Sequence, residues 1–216
     1  MNYFITGTDT NVGKTFVTSL LIRALRKAGL DSVGMKPICC GDRGDAELLR
    51  AAADDSVELN EINPIWFRTP AAPYTASIIE NRMIDLDAIR EHYDRLRQSH
   101  RSLLVEGVGG WMVPIQKNYF VRDLAAEFGL PILLVVLNRL GALNHALLTI
   151  QAIQSSGQTC AGIVLNNADT TSQVIATATN RSMLEDLAGV PILFEIERDQ
   201  PDLVLGIAEF HSKPAH

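Results

Sequence analysis

The chain has little of what several function classes require. Its three cysteines, Cys39, Cys40 and Cys160, have neither the spacing of a metal site nor the even count of a disulfide framework, so reduced thiols are the default. The five histidines are scattered, and His92 and His100, on a predicted helix and its exit, form no ligand pair; none is assigned a metal. Cations are outnumbered, 19 Lys and Arg against 25 Asp and Glu, for a net charge of −6, and no basic stripe appears. Binding a nucleic-acid polyanion depends on clustered Lys and Arg, which excludes nucleic acid as a partner. No apolar run reaches the roughly eighteen residues a membrane span needs. Met1-Asn2-Tyr3 leads straight into a predicted strand with no room for a signal or transit peptide, so the expected compartment is the cytoplasm. Internal repeats and linkers are also missing.

What remains is a chain of 216 residues, 47% apolar and 20% charged, expected to form one domain over residues 1–216. That length buries a core without metal or disulfide support. Its most informative stretch is the first. Tyr3-Phe4-Ile5-Thr6 reads as a strand, Gly7 to Thr15 as a loop ending in Gly13-Lys14-Thr15, and the residues from Phe16 onward as a helix. Val17, Leu20, Leu21, Ala24, Leu25 and Ala28 recur at helical spacing, with Arg23, Arg26 and Lys27 on the other face and Gly29 as the stop. Strand, Gly-Lys-Thr loop and helix make a phosphate-binding loop. Backbone N–H groups wrap the phosphates, the lysine reaches the terminal ones, and the Thr hydroxyl joins a Mg²⁺ shell. The usual pattern places Gly where Thr8 stands, with Gly7 one position early.

Further along, Ser32 to Met35 reads as a strand delivering Lys36 and Pro37 into a loop, where open α/β sheets bind ligands. Asp45 falls at or near the cap of a helix over Ala46 to Ala53. The stretch from Val57 to Ile84, with Pro64, Pro70 and Pro73, reads as loops with short helical pieces that carry specificity. A helix comes next, from Asp85 to about Gln98, with Leu86, Ile89, Tyr93 and Leu96 on one face. Leu103-Leu104-Val105 is a buried strand opening into Glu106-Gly107-Val108-Gly109-Gly110, a carboxylate placed to help hold Mg²⁺ and glycines that admit phosphate close to the backbone. Ile132 to Leu137 is the most continuous apolar strand, hence central. The helix start from Gly141 to His145 is a second place for an anion. Thr159 to Leu165 is a strand ending in Asn166-Asn167, whose amides can read a purine edge or simply make a turn. A helix from Thr171 to Leu187 and a strand from Ile192 to Ile196 complete the chain. The expected fold is α/β of the phosphate-loop NTPase type, a doubly wound, mainly parallel sheet with helices on both faces.

Four motifs in order, Gly7-Thr8-Asp9-Thr10-(x)-Val12-Gly13-Lys14-Thr15, Lys36-Pro37 closing in Gly41, Val105-Glu106-Gly107-(x)-Gly109-Gly110 and Leu140-Gly141-(x)-(x)-Asn144-His145-Ala146, together resemble the dethiobiotin synthetase family over nearly the full length. That family also carries its loop glycine at the Gly7 position. The resemblance implies a ligase of biotin biosynthesis that uses Mg²⁺ and ATP to join CO₂ to 7,8-diaminononanoate and close the ring of dethiobiotin. It implies Lys36 and Lys14 as catalytic cations and Thr15, Asp45 and Glu106 as the Mg²⁺ set. ATP contacts would come from Asn11, Val12, Gly13, Lys14, Thr15, Phe16, Asp45, Glu106, Gly107, Val108 and Gly109. On the base side they would come from Asn166, Asn167, Glu197, Arg198 and Asp199. The resemblance further implies a homodimer with its active site at the subunit interface. Cys40 would touch substrate, while Leu143 and Asn144 would serve the neighbouring subunit's substrate carboxylate. This chain departs from the family's common residues at Asn11, often glutamate; at Cys40, often serine; and at Glu197, often proline. The alternative is a regulatory or positioning ATPase of the related deviant phosphate-loop group. Against it stand the lack of a basic amphipathic C-terminal helix and of an extra lysine at the start of the loop.

Overall fold

The structure is a computed structural model that describes residues 1–167 and 174–197. In chain order the elements are β1 (Asn2–Gly7), α1 (Lys14–Lys27), β2 (Ser32–Met35), β3 (Ile38–Cys40), α2 (Gly44–Ala52), α3 (Leu59–Ile62), β4 (Ile65–Phe67), α4 (Pro73–Ile79) and α5 (Leu86–Ser99). Then come β5 (Ser102–Gly110), β6 (Pro114–Gln116), β7 (Tyr119–Phe120), α6 (Val121–Phe128), β8 (Ile132–Leu137), α7 (Ala142–Ser155), β9 (Cys160–Asn166), α8 (Val174–Leu187) and β10 (Ile192–Ile196). Six strands form one sheet in the order β10-β9-β8-β1-β5-β2, with every pairing parallel. The chain leaves β1 towards β2 on one side and returns to β8 on the other. The strand order therefore reverses around β1, and the crevice beyond its C-terminal end is where such sheets bind ligands.

Burial reflects the apolar runs. Ile132 to Val136 of β8 are inaccessible on both faces, as a strand covered above and below must be. On α1 the predicted face is buried at Val17, Leu20, Leu21 and Leu25, but Ile22 and Thr18 are buried too. The cause is a second contact: α1 packs against α2 as well as the sheet. Ala28 lies past the helix as its cap and is exposed. On α5, Ile89 and Leu96 are buried, and Tyr93 stacks on Phe128 of α6 with ring centroids 3.9 Å apart.

Several sequence boundaries move. The strand expected at Leu103-Leu104-Val105 runs on to Gly110, because Glu106 pairs with Ile5 and Gly110 with Gly7 of β1. Its glycines are an extension of the sheet rather than a turn. The loop-rich stretch after Val57 does contain short helices, α3 and α4, and also β4, which pairs in parallel with β3 in a separate small sheet. Between Trp111 and Leu130 the chain forms the β6–β7 hairpin and α6, where Asp123 Oδ2 accepts from the Phe120 N–H at 2.7 Å. Apolar spacing is weak across the hairpin, and local capping sets the helix start. Only the part of the predicted Thr171–Leu187 helix from Val174 onward falls within the described residues.

Candidate functional site

The loop after β1 has the shape its sequence implies. A Cβ on Gly7 would lie 2.6 Å from Val12 Cγ2 and 3.0 Å from Asp9 O, so the loop folds back on a residue that must lack a side chain. Gly13 precedes α1 with φ of 91°, a left-handed conformation that glycine adopts without strain. Lys14, the first helical residue, is buried and turns back over the loop, its Nζ donating to Asp9 O at 2.9 Å. Burial and the nearby Lys36 ammonium bring its pKa down to about 8, against the opposing pull of Glu106, Asp45 and Asp9.

Beside the loop, three elements deliver charge to one point. Lys36 comes directly after β2, Asp45 stands in the first turn of α2, and Glu106 is the middle residue of β5. Lys36 Nζ lies 2.6 Å from Glu106 Oε1 and 2.7 Å from Asp45 Oδ2. Burial opposes the charge on Lys36, but the two carboxylates outweigh it and hold the ammonium well above its ordinary pKa. Burial likewise pushes Asp45 up, and the ion pair with Lys36 more than offsets it, leaving the carboxyl below its usual range. The Thr15 hydroxyl donates to Glu106 Oε1 at 2.8 Å and also meets Asp45. Glu106 is fully buried, and among the described residues its Oε2 has no hydrogen-bond partner. A buried carboxylate oxygen without a donor, beside a hydroxyl and a second carboxylate, suits a hard cation such as Mg²⁺. These donors fit the expected set, with the Lys36 ammonium now lying between the two acids. Asp45 is one residue inside its helix; it is Asp42 Oδ1 that accepts the Gly44 N–H, at 2.9 Å.

A cleft of about 500 Å³ opens over this floor. It brings together Asn11, Gly13, Lys14, Thr15, Phe16, Lys36, Cys40, Asp45, Glu106, Val108 and Gly109 among the expected residues. It also takes in Thr10, Ile38, Cys39 and Asp42, which sequence reasoning did not single out. Thr10 stands within the Gly7–Thr15 motif and Asp42 directly follows Gly41, and those places were their only signal. Burial pushes the Cys40 thiol up to about 11 and Cys39 up to about 12, so both line the cleft as neutral groups. Val12 is buried under the loop, and Gly107 packs its backbone against Phe4 and Val121 rather than facing the cleft.

Of the residues expected on the base side, Asn166, Asn167 and Glu197 lie elsewhere, at the ends of β9 and β10. Asn166 Nδ2 donates to Val12 O at 2.9 Å. Asn167 accepts from Asn138 Nδ2 at 2.7 Å and donates to Glu195 Oε1 at 2.9 Å and Glu197 Oε1 at 2.5 Å. Glu197 is exposed, and Arg198 and Asp199 lie outside the described residues. Leu143 and Asn144 stand in the first turn of α7, half-buried and exposed respectively, and do not line the main cleft.

A phosphate loop at the reversal point of a parallel sheet, with a lysine and a Thr–carboxylate cluster beneath it, defines a phosphate-loop nucleotide-binding protein. A family model described as an AAA domain matches residues 1–203. Among solved structures, the chain superposes on a ParA family ATPase from Chlorobium tepidum with a TM-score of 0.58 at 13% identity, covering 92% of this chain and 84% of that one. It superposes on the MinD cell division protein of Aquifex aeolicus with a TM-score of 0.56 at 16% identity, covering 93% and 83%. At such identities the likeness is one of fold. In sequence the chain is 48% identical to the ATP-dependent dethiobiotin synthetase BioD of Akkermansia muciniphila, over 92% of this chain and 93% of that protein. It is 41% identical to the protein of the same name from Thermodesulfovibrio yellowstonii, over 88% and 86%. The chain belongs to the ATP-dependent dethiobiotin synthetase family.

Proposed function

We propose that this chain is a single-domain, Mg²⁺- and ATP-dependent ligase of biotin biosynthesis, forming dethiobiotin from 7,8-diaminononanoate and CO₂ with release of ADP and phosphate. One amine of the substrate captures CO₂ as a carbamate, the γ-phosphoryl group of ATP passes to the carbamate oxygen, and the second amine attacks the activated carbon and expels phosphate. Two C–N bonds form and the urea ring closes. Each species along this path is anionic near the reacting carbon, so catalysis rests on placed cations and N–H donors.

The observation that carries the reading is Lys36, a second buried lysine beside the phosphate-loop lysine, held by Glu106 and Asp45 on the floor of the cleft. Binding a nucleotide triphosphate needs one such cation; stabilising a carbamate and the phosphoryl group passing to it calls for another. Lys36 steadies the carbamate and the transferring phosphoryl group, and Lys14 the terminal phosphates. Thr15, Asp45 and Glu106 would hold Mg²⁺, which neutralises phosphate charge when bound. Asn11 to Phe16 and Glu106 to Gly109 receive the phosphates, Asn166 and Asn167 with Glu197, Arg198 and Asp199 the base, and Cys40 lines the substrate. Two copies would assemble so that Leu143 and Asn144 of one hold the substrate carboxylate of the other. The exposed Leu140, just before that helix, and Leu148, midway along it, support such a contact. The compartment consistent with these substrates is the cytoplasm.

The test is to incubate the protein with ATP, Mg²⁺, bicarbonate and the diamine, and to track dethiobiotin by mass spectrometry while omitting each component in turn. Product that requires all four is the expected result. ATP hydrolysis indifferent to the diamine, with no dethiobiotin, would overturn the reading in favour of a regulatory ATPase.

A further inference from the structure

Asn166 ends β9 and is 2% exposed. Its side-chain nitrogen donates to the carbonyl of Val12 at 2.9 Å, across 154 residues of chain. A carbonyl only accepts, so the orientation of the amide is unambiguous: its NH₂ group faces the loop. The backbone that carries it is pinned on both sides. Asn166 O accepts from the Asn138 N–H, and the next N–H, of Asn167, donates to Ile196 O, each at 2.8 Å.

The partner of this contact is the peptide between Val12 and Gly13. A trans peptide is planar, with its C=O and N–H pointing to opposite sides. Holding the Val12 carbonyl towards β9 therefore aims the Gly13 N–H the other way, and Gly13 lines the cleft in which phosphate is expected. Gly13 can rotate about its left-handed φ more freely than any other residue, so this plane needs an outside restraint. Fit is close as well: a Cβ on Gly13 would lie 2.2 Å from Asn166 Nδ2. Glycine at that position thus serves the asparagine as much as the turn.

We infer that Asn166 is a positioning residue for the phosphate loop, setting the Val12–Gly13 peptide so that the Gly13 N–H faces the phosphates. This goes beyond reading adenine, because it acts on any ligand with a polyphosphate chain. It rests on the phosphate-loop part of the proposed function and not on the carboxylation chemistry.

The test compares ATP with inorganic tripolyphosphate, which has no base, by titration calorimetry in Mg²⁺. Asn166→Ala weakens both ligands by the same factor, on the order of tenfold, the effect of losing one hydrogen bond to a buried carbonyl. The isosteric Asn166→Asp removes the donor and sets oxygen against oxygen, and weakens both further. Hydrogen exchange of the loop from Thr8 to Thr15 in the nucleotide-free protein rises in both variants. Should the alanine chain not fold, the aspartate variant carries the comparison. Loss confined to ATP would assign Asn166 to the base alone, and unchanged tripolyphosphate affinity or loop exchange would overturn the inference. Failure to make dethiobiotin would not affect either measurement.

Discussion

The two ends of the crevice are built from different chemistry. Around β1, β2 and β5 the floor is charged: Lys36, two carboxylates and a hydroxyl meet with separations of 2.6 to 2.8 Å, and Lys14 lies beside them with its Nζ on the Asp9 carbonyl. Around β8, β9 and β10 the polar groups are mostly neutral amides in a chain. Asn180 Nδ2 donates to Asn138 Oδ1 at 2.8 Å, Asn138 to Asn167, and Asn167 to Glu195 and Glu197 at the rim. Asn138 and Asn180 are 4% and 3% exposed, and Asn138 Nδ2 also reaches Thr177 O at 3.0 Å, so nearly every capacity of this amide is used. Charge acts over distance and tolerates movement, which suits a site where phosphate and proton positions change. Fixed neutral hydrogen bonds suit recognition that must hold one geometry.

That contrast predicts unequal responses to substitution. Lys36→Ala should lower kcat by on the order of a hundredfold or more, the scale of losing one electrostatic stabiliser, with a smaller effect on ATP binding. Steady-state kinetics with the diamine reads this, and a near-normal kcat would remove Lys36 from the chemistry.

Glu106→Ala should weaken Mg-nucleotide binding by roughly ten- to a hundredfold, the range for loss of a metal-site ligand or its support. Asp45→Ala should cost less. Glu106 is fully buried with an oxygen that has no donor among the described residues, whereas the Asp45 side chain is 50% exposed and water can replace it. Titration of magnesium dependence in the two variants orders them, and equal or absent shifts would break the assigned asymmetry.

Next comes pH. The nucleotide-free Lys14, with its pKa near 8, loses charge above that value, and a bound phosphate chain would hold the proton on. Affinity for Mg-ATP therefore falls as pH rises above 8, by at most about tenfold per unit. Binding takes up a proton, which calorimetry in buffers of different ionisation enthalpy detects. The sign for folding is the reverse. The unfolded lysine stays protonated up to about 10.5, so between these values the unfolded chain binds more protons and Lys14 adds stability as pH rises. A flat binding profile from pH 7 to 9 would show that burial does not depress Lys14.

The smallest effect on the charged end should come from the amide chain. Asn180→Ala leaves Asn138 Oδ1 and Arg139 O without their donor and should cost about 1–2 kcal/mol of stability. Tripolyphosphate affinity should stay unchanged. Denaturant melts give the first quantity and calorimetry the second, and a matching loss of tripolyphosphate affinity would mean that the two ends are mechanically one.

The sequence by itself determined the parts whose causes are local. Apolar spacing set the buried face of α1 and the central place of β8, and the order of strands and helices set a parallel sheet. The Gly13-Lys14-Thr15 loop announced phosphate because backbone, glycine and lysine act together over a few residues. Lys36 and Glu106 were legible as charges following short apolar strands, although pairing with β1 carries β5 past Glu106 to Gly110. Asp45 was legible only as a residue near a helix start, since the cap and the ion pair look alike along the chain. Tertiary structure decided the rest. It set Lys36 between Asp45 and Glu106, extended β5 through its glycines by pairing them with β1, and turned Asn166 towards Val12. Each of these depends on residues 9 to 154 positions apart, and one chain's sequence records no distance across such gaps. The amides at the ends of β8 and β9 show the reason most plainly. Each carries both a donor and an acceptor, and only the neighbours that folding supplies determine which partner each of the two meets.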